Sequence, residues 1–189
     1  MRVFPSIFKF FDSHKFIRGI SSCLIFGFFA LSLLISFGQN SLGIGERPQI
    51  VVLDLSSGSN GSSYPVTYLG SLPNDWNSTE FKTNKVILKW VDPGVFDMGQ
   101  TGVTNADIVR QITLTRGFYM GIYEITGSQY EKVIGFDPSI HGGDTKPVDR
   151  GTWNEIRGGI WPSGVPSNSS FIGKVRQKTN GDIFDLPTE

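Results

Sequence analysis

The chain has 189 residues, which is enough for one domain with appendages, and 17 basic and 17 acidic residues give it a formal net charge of zero. A neutral chain has no global field that attracts nucleic acid, so we expect no nucleic-acid partner. The only cysteine, Cys23, lies in an N-terminal apolar run. The sequence after it therefore excludes an intrachain disulfide and a catalytic thiol.

Residues 1–38 have the pattern of an export signal. Basic residues dominate the first part, residues 20–38 carry no charge, and Ser36 and Gly38 fit the small positions before a cleavage site. The apolar run is also long enough for an uncleaved hydrophobic helix that anchors the chain. Both alternatives place residues 39 onward outside the cytoplasm, as a secreted, periplasmic or anchored protein. Membrane contact is expected only through residues 20–38, if they are retained.

The next part of the chain alternates between apolar runs and turn-rich stretches. Residues 49–55, 64–69 and 85–91 are rich in β-branched and aromatic side chains and predict strands. Residues 73–83 are polar and predict a loop. We therefore divide the exported chain into an extension with short strands at 39–85 and a second region at 86–189.

Further along, two capping boxes predict helix starts. Thr126 is followed three positions later by Gln129, and Thr152 by Glu155, so each pair can satisfy two backbone donors at a helix N-terminus. Gly135 follows the first helical stretch as a C-terminal stop. Residues 169–179 predict a third helix, so short helices and short strands indicate a mixed, irregular α+β fold.

Few residues in this region have the chemistry of a site. Glu124 lies in an apolar strand pattern, where it would either bind a ligand or metal or accept backbone N–H bonds near the helix start. His141 lies in a glycine-rich loop and is expected to be solvated. Asp137, Asp144 and Asp149 do not have the spacing of a calcium loop.

Three aromatic residues, Trp153, Trp161 and Phe171, fit two different roles. Aromatic rings line many sugar-binding faces, but large aromatic residues more often belong to a core. We expect core positions for most of them.

Five segments, taken in order, resemble the sulfatase-modifying-factor family, whose members include the formylglycine-generating enzymes. They are residues 93–99, 111–115, 118–126, 147–153 and 186–189, and together they extend over about half of the chain. The residues that carry the family signature are Phe96, Met98, Gly99, Glu124, Thr126, Pro147, Val148, Trp153, Leu186, Pro187, Thr188 and Glu189.

The resemblance implies a fold similar to that of C-type lectins, with strands at 111–115 and 118–126. Family members oxidise a substrate cysteine to formylglycine. That chemistry uses a late pair of cysteines that binds copper, and complete members also bind calcium. We expect no cofactor in this chain, because the family segments that bind these metals lie beyond its last motif and residues 39–189 contain no cysteine. The chain also departs from the family pattern, with Asp185 at the position of an arginine and Arg157 in a stretch where the family often has cysteine.

Two functions therefore remain open, beside a third and weaker alternative, a membrane-anchored structural protein. In the first, the chain is part of an exported sulfatase-modifying-factor protein, without a complete active site of its own. In the second, it is a non-catalytic, lectin-like module at the cell surface or in the periplasm that binds a protein or glycan. We also expect the domain to be incomplete, with exposed apolar faces around Phe118, Tyr130, Val133 and Phe171.

Overall fold

The computed structural model describes residues 9–10, 47–99, 109–160, 164–179 and 184–186. These residues form a mixed α+β structure, which confirms the predicted class. Its elements, in chain order, are β1 (Lys9–Phe10), β2 (Ile50–Asp54), β3 (Val66–Leu69), α1 (Glu80–Thr83), β4 (Lys85–Val91), β5 (Gly94–Met98), β6 (Arg110–Leu114), β7 (Phe118–Gly121), α2 (Gly127–Ile134), α3 (Trp153–Ile156), α4 (Phe171–Lys178) and β8 (Phe184–Asp185).

Six strands form one antiparallel sheet in the order β3-β2-β4-β7-β1-β8, and β5 pairs with β6 in a separate two-stranded ribbon. Strand β2 lies between β3 and β4, with Val51 opposite Leu88 and Leu53 opposite Val86. The strands of the predicted extension, 39–85, therefore share one sheet with the region that follows.

The main core lies on one face of this sheet. Because successive side chains of a strand point to opposite faces, Val86, Leu88 and Trp90 of β4 all face the same side. They pack with Tyr130 of α2 and Ile172 of α4, which are 2% and 0% exposed. Each fully buried aliphatic side chain of this kind contributes about 1.5–3 kcal/mol to folding.

A smaller core covers the opposite face of the sheet. Ile50 and Val52 of β2 and Ile87 of β4 pack there with Phe81 of α1. The residues before α1 close this side, with the half-buried ring of Trp76 among them. The sheet is thus buried on both faces around β2 and β4, which explains the nearly continuous apolar runs in these two strands.

The local helix predictions are confirmed. Thr126 and Thr152 both have extended backbones and form capping boxes with Gln129 and Glu155. Gly135 ends α2 in the left-handed conformation, with a φ of 104° that a residue with a Cβ rarely adopts. The third predicted helix is α4, which begins after Ser170, where the Ser170 hydroxyl accepts the Gly173 amide proton.

Three sequence expectations are wrong. Residues 73–83 are not entirely loop, because burial of Phe81 in the smaller core stabilises the single turn of α1. The strand predicted at 118–126 ends at Gly121, since only residues 118–121 pair with β4. The supposed exposed apolar residues are buried: Phe118, Tyr130, Val133 and Phe171 are 0–5% exposed.

The predicted N-terminal hydrophobic helix, residues 20–38, lies outside the described residues. Within the described part of the chain, no helix is long and apolar enough to cross a membrane.

Candidate functional site

Thr126 and Gln129 connect α2 to the chain around α1 and β4. The hydroxyl of Thr126 accepts the Gln129 amide proton at 3.2 Å and donates to the carbonyl of Lys82 at 2.7 Å. The Gln129 side chain accepts from the Thr126 amide at 3.0 Å and donates to the carbonyls of Phe81 and Lys85. Both side chains are buried, and their hydrogen bonds compensate for the lost contact with water.

The segment around Pro147 pairs with the start of α2. Pro147 forms an antiparallel bridge with Thr126, and the Val148 amide donates to the carbonyl of Ile125 at 2.9 Å. Glu124 is half-buried beside this pairing, and its carboxylate makes no hydrogen bond with the described residues. The backbone N–H bonds expected for Glu124 are therefore not found in this part of the chain.

Asp149 organises the loop that contains His141. Its carboxylate accepts from the Ile140 amide at 2.8 Å and the His141 amide at 3.2 Å, and it lies 3.0 Å from Nδ1 of His141. The Ile140 amide is the main cause of a lowered pKa of Asp149, and His141 contributes further. The imidazole is 66% exposed, as expected for a solvated loop histidine.

The second capping box places Trp153 at the surface. Oε2 of Glu155 accepts from the Thr152 amide at 2.8 Å and from its hydroxyl at 2.7 Å, and these bonds lower the pKa of Glu155. The indole of Trp153 is 43% exposed. Phe171, in contrast, is 2% exposed and its ring stacks on that of Tyr130, with 5.3 Å between the two ring centroids. Phe171 is thus a core residue, Trp153 is not, and Trp161 lies outside the described residues.

A buried ion-pair network joins α3, α4 and β8. The guanidinium of Arg157, which is fully buried, binds both carboxylate oxygens of Asp185, at 2.7 and 3.1 Å. Arg176 binds the same carboxylate at 2.8 Å, and Arg157 also donates to the carbonyls of Gly158 and Gly164. Desolvation lowers the pKa of Arg176, while Asp185 opposes this shift. Two guanidinium groups thus share one carboxylate in a largely buried site.

This network is the part of the site that the sequence did not predict. Arg157 and Asp185 are the two departures from the family pattern, and the structure brings them into direct contact across 28 positions. An acidic residue between Phe184 and Leu186 was a usable signal, because a carboxylate in an apolar strand requires a buried partner.

The other signature residues are dispersed. Phe96 and Met98 lie exposed on β5, at 44% and 50%, and Gly99 follows them with a φ of 112°. Leu186 is half-buried directly after β8, and residues 187–189 lie outside the described part. Two of the five signature segments, 93–99 and 111–115, therefore lie largely on the separate ribbon of β5 and β6, while the segment of Thr126 pairs with that of Pro147.

No group of three or more histidine, cysteine or carboxylate side chains within the described ranges could hold a metal ion. Comparison with protein families, curated proteins and solved structures finds no match to this chain.

Proposed function

We propose that the chain is part of an exported protein of the sulfatase-modifying-factor type, in which the described residues support a site rather than contain it. The parent activity is oxidation of a substrate cysteine to formylglycine. We extend the proposal to the fold, which would be of the C-type-lectin-like kind, and to the location of residues 39 onward outside the cytoplasm.

The observation that carries this proposal is the pairwise contact between signature segments. The segment of Thr126 pairs with that of Pro147, and the helix of Trp153 is joined to the strand before Leu186 through Arg157 and Asp185. Segments that meet and also maintain their order are the expected property of one folded unit.

The residues present do not fit the copper chemistry of the parent activity. Thiolate sulfur is the ligand that selects Cu(I), and residues 39–189 contain no cysteine. Turnover would therefore need thiolates from outside this chain.

A direct assay tests this assignment. Purified chain is incubated with Cu(I), oxygen and a cysteine-containing sulfatase peptide, and mass spectrometry follows conversion of the cysteine to an aldehyde. We expect an unchanged peptide, with a copper-loaded formylglycine-generating enzyme as the positive control. Conversion by this chain alone would refute its assignment as a supporting structure.

The exposed indole of Trp153 favours the second candidate, a lectin-like module for a glycan or protein ligand. An aromatic ring can stack on a sugar ring, and the indole of Trp153 is 43% exposed, with the guanidinium of Arg157 over it at 6.0 Å. Glycan-array binding by the wild type, its loss in Trp153→Ala and its retention in Trp76→Ala would support this function. Equal binding by both variants would refute the role of Trp153.

A further inference from the structure

The ribbon of β5 and β6 has one apolar face and one mainly polar face. Directly paired residues place their side chains on the same face, and Phe96 pairs with Ile112 while Gly94 pairs with Leu114. Because side chains alternate along a strand, Met98 lies on this face too. The apolar face thus consists of Phe96, Met98, Ile112 and Leu114, and the opposite face carries Val95, Asp97, Gln111 and Thr113.

The apolar face of the ribbon is open to solvent in the part of the chain that the structure describes. Phe96 and Met98 are 44% and 50% exposed, and Ile112 and Leu114 are half-buried. None of the four belongs to either of the two cores of the described residues. A two-stranded ribbon in water is only marginally stable unless a further strand or another element packs on its apolar side. A covering segment would therefore stabilise this ribbon.

The ribbon begins at one end of the six-stranded sheet. Strands β4 and β7 pair as far as Val91 and Phe118. The pairing resumes in the ribbon at Gly94 and Leu114, which lie directly beyond these two residues in the sequence. The Val91 end of the sheet is thus the end from which the ribbon continues.

Strand β1 directs the chain that follows it toward this end. It pairs antiparallel with β7, and its residues Lys9 and Phe10 lie opposite Met120 and Tyr119. The next position of β7 in the same direction is Phe118, where the ribbon begins. The chain after β1 therefore leaves the sheet beside the ribbon.

The chain returns to the described structure at the same end. The carbonyl of Gln49, directly before β2, accepts from the Trp90 amide at 2.8 Å. The guanidinium of Arg47 lies 4.1 Å from the centroid of the Trp90 ring, next to the last residue of β4. Both ends of the segment 11–46 are thus held beside the start of the ribbon.

This segment contains the apolar run 20–38, which carries no charge. At roughly 3.3 Å per residue, the parts that connect the run to the sheet, 11–19 and 39–46, can extend about 30 and about 26 Å. A strand of the ribbon has five residues and is about 16 Å long. The run therefore reaches every part of the apolar face, and the two attachments keep its effective concentration there high.

From this arrangement we propose that, in a chain that retains its N-terminal segment, residues 20–38 pack on the apolar face of the ribbon. The contact removes apolar side chains of both partners from water. It ends at Arg110, which lies opposite Met98, because an uncharged run offers no countercharge. The inference concerns the chain before any cleavage and does not rest on the proposed function. Removal of residues 1–38 would uncover the face.

The native cysteine of the apolar run makes this contact measurable in the full chain. Cys23 is the only cysteine, so a second one placed on the ribbon can form one intramolecular disulfide. Phe96→Cys and Met98→Cys probe the apolar face, and Val95→Cys and Asp97→Cys are matched controls on the opposite face of the same strand. Each folded monomer is incubated with oxidised glutathione, which is reduced as the disulfide forms, and mass spectrometry of peptides follows the cross-link.

We expect the cross-link to Cys23 to form about tenfold faster from position 96 or 98 than from either control, because only the apolar face holds the run nearby. Equal rates on the two faces would overturn the proposal, as would absence of the cross-link in all four variants. Cross-links between two molecules would overturn it as well, since they would show that a second copy covers the face.

Oxidation of Met98 provides a second measurement, which needs no substitution. Hydrogen peroxide transfers an oxygen atom to an accessible thioether and leaves as water. Met120 of β7 is half-buried and serves as the internal reference. If residues 20–38 cover the ribbon, Met98 of the full chain should be oxidised no faster than Met120. Faster oxidation of Met98 would show an open face and overturn the proposal.

Discussion

Replacement of Asp185 by Asn should be among the most destabilising single changes in the described part of the chain. Asn has nearly the same shape as Asp, so the change removes charge without leaving a cavity. It removes the negative charge that lies 2.7 Å from the guanidinium of Arg157, which is 0% exposed. Removal of one partner of a buried ion pair costs about 3–5 kcal/mol, because the remaining charge stays out of water.

This loss is large compared with the whole stability of a domain, which is roughly 5–15 kcal/mol. Urea unfolding followed by tryptophan fluorescence measures it, and with a slope of about 2 kcal/mol per molar a loss of about 4 kcal/mol shifts the midpoint by about 2 M. Glu80→Gln is the matched control. Its ion pair with Lys85 is 3.4 Å long and partly exposed, so its loss should cost about 0–1 kcal/mol.

A double-mutant cycle separates the charge from other effects. In an Arg157→Met background no buried guanidinium remains at that position. The loss in free energy of unfolding caused by Asp185→Asn should then be less than half of the loss measured in the wild type. If Asp185→Asn shifted the urea midpoint no more than Glu80→Gln, the ion pair between Arg157 and Asp185 would not stabilise the fold as predicted. Equal costs in the two backgrounds would show that Asp185 acts through other contacts.

Four other changes are expected to alter stability in defined directions. Tyr130→Phe should stabilise by about 1 kcal/mol, because its buried hydroxyl has no hydrogen-bond partner among the described residues, and it should reduce unfolding between pH 10 and the raised pKa of about 12. Tyr119→Phe should destabilise by a similar amount, since its hydroxyl donates to a buried carbonyl. Chemical denaturation at pH 7 and pH 11 compares these variants, and destabilisation by Tyr130→Phe would contradict the assignment. Gly173→Ala should lower the free energy of unfolding by about 1–3 kcal/mol, because the added Cβ would collide with a backbone carbonyl before α4. In the control Gly94→Ala the added Cβ meets open space, so the steric cost should be small. Equal Tm values of the two variants would contradict this reasoning. Glu155→Gln keeps the capping box but removes a carboxylate whose pKa in the folded state lies below its ordinary 4.5. The wild type should therefore have a higher Tm than the variant above pH 4.5, and this difference should disappear as the pH falls through the folded pKa. A constant difference in Tm across this range would refute the stabilising role of the carboxylate.

The sequence determined the features that depend on near neighbours. Thr126 and Gln129 are three positions apart, as are Thr152 and Glu155, so the atoms of each capping box meet as soon as one helical turn forms. Strand β4 could also be predicted from the sequence, because its alternating residues pack against the two cores on opposite faces of the sheet.

Contacts between distant positions were decided only by the tertiary structure. Phe81 forms a helical turn in a polar stretch because the far side of the sheet offers it a core, and Phe118 is buried because β7 pairs with β4. The pairing of Arg157 with Asp185 also required the fold, since a carboxylate in an apolar strand predicts a buried partner but does not identify one that lies 28 positions away. The sequence thus determined the turns and caps, whose partners lie within a few residues, whereas the sheet order and the buried charges required the fold, because their energies depend on surfaces that distant segments bring together.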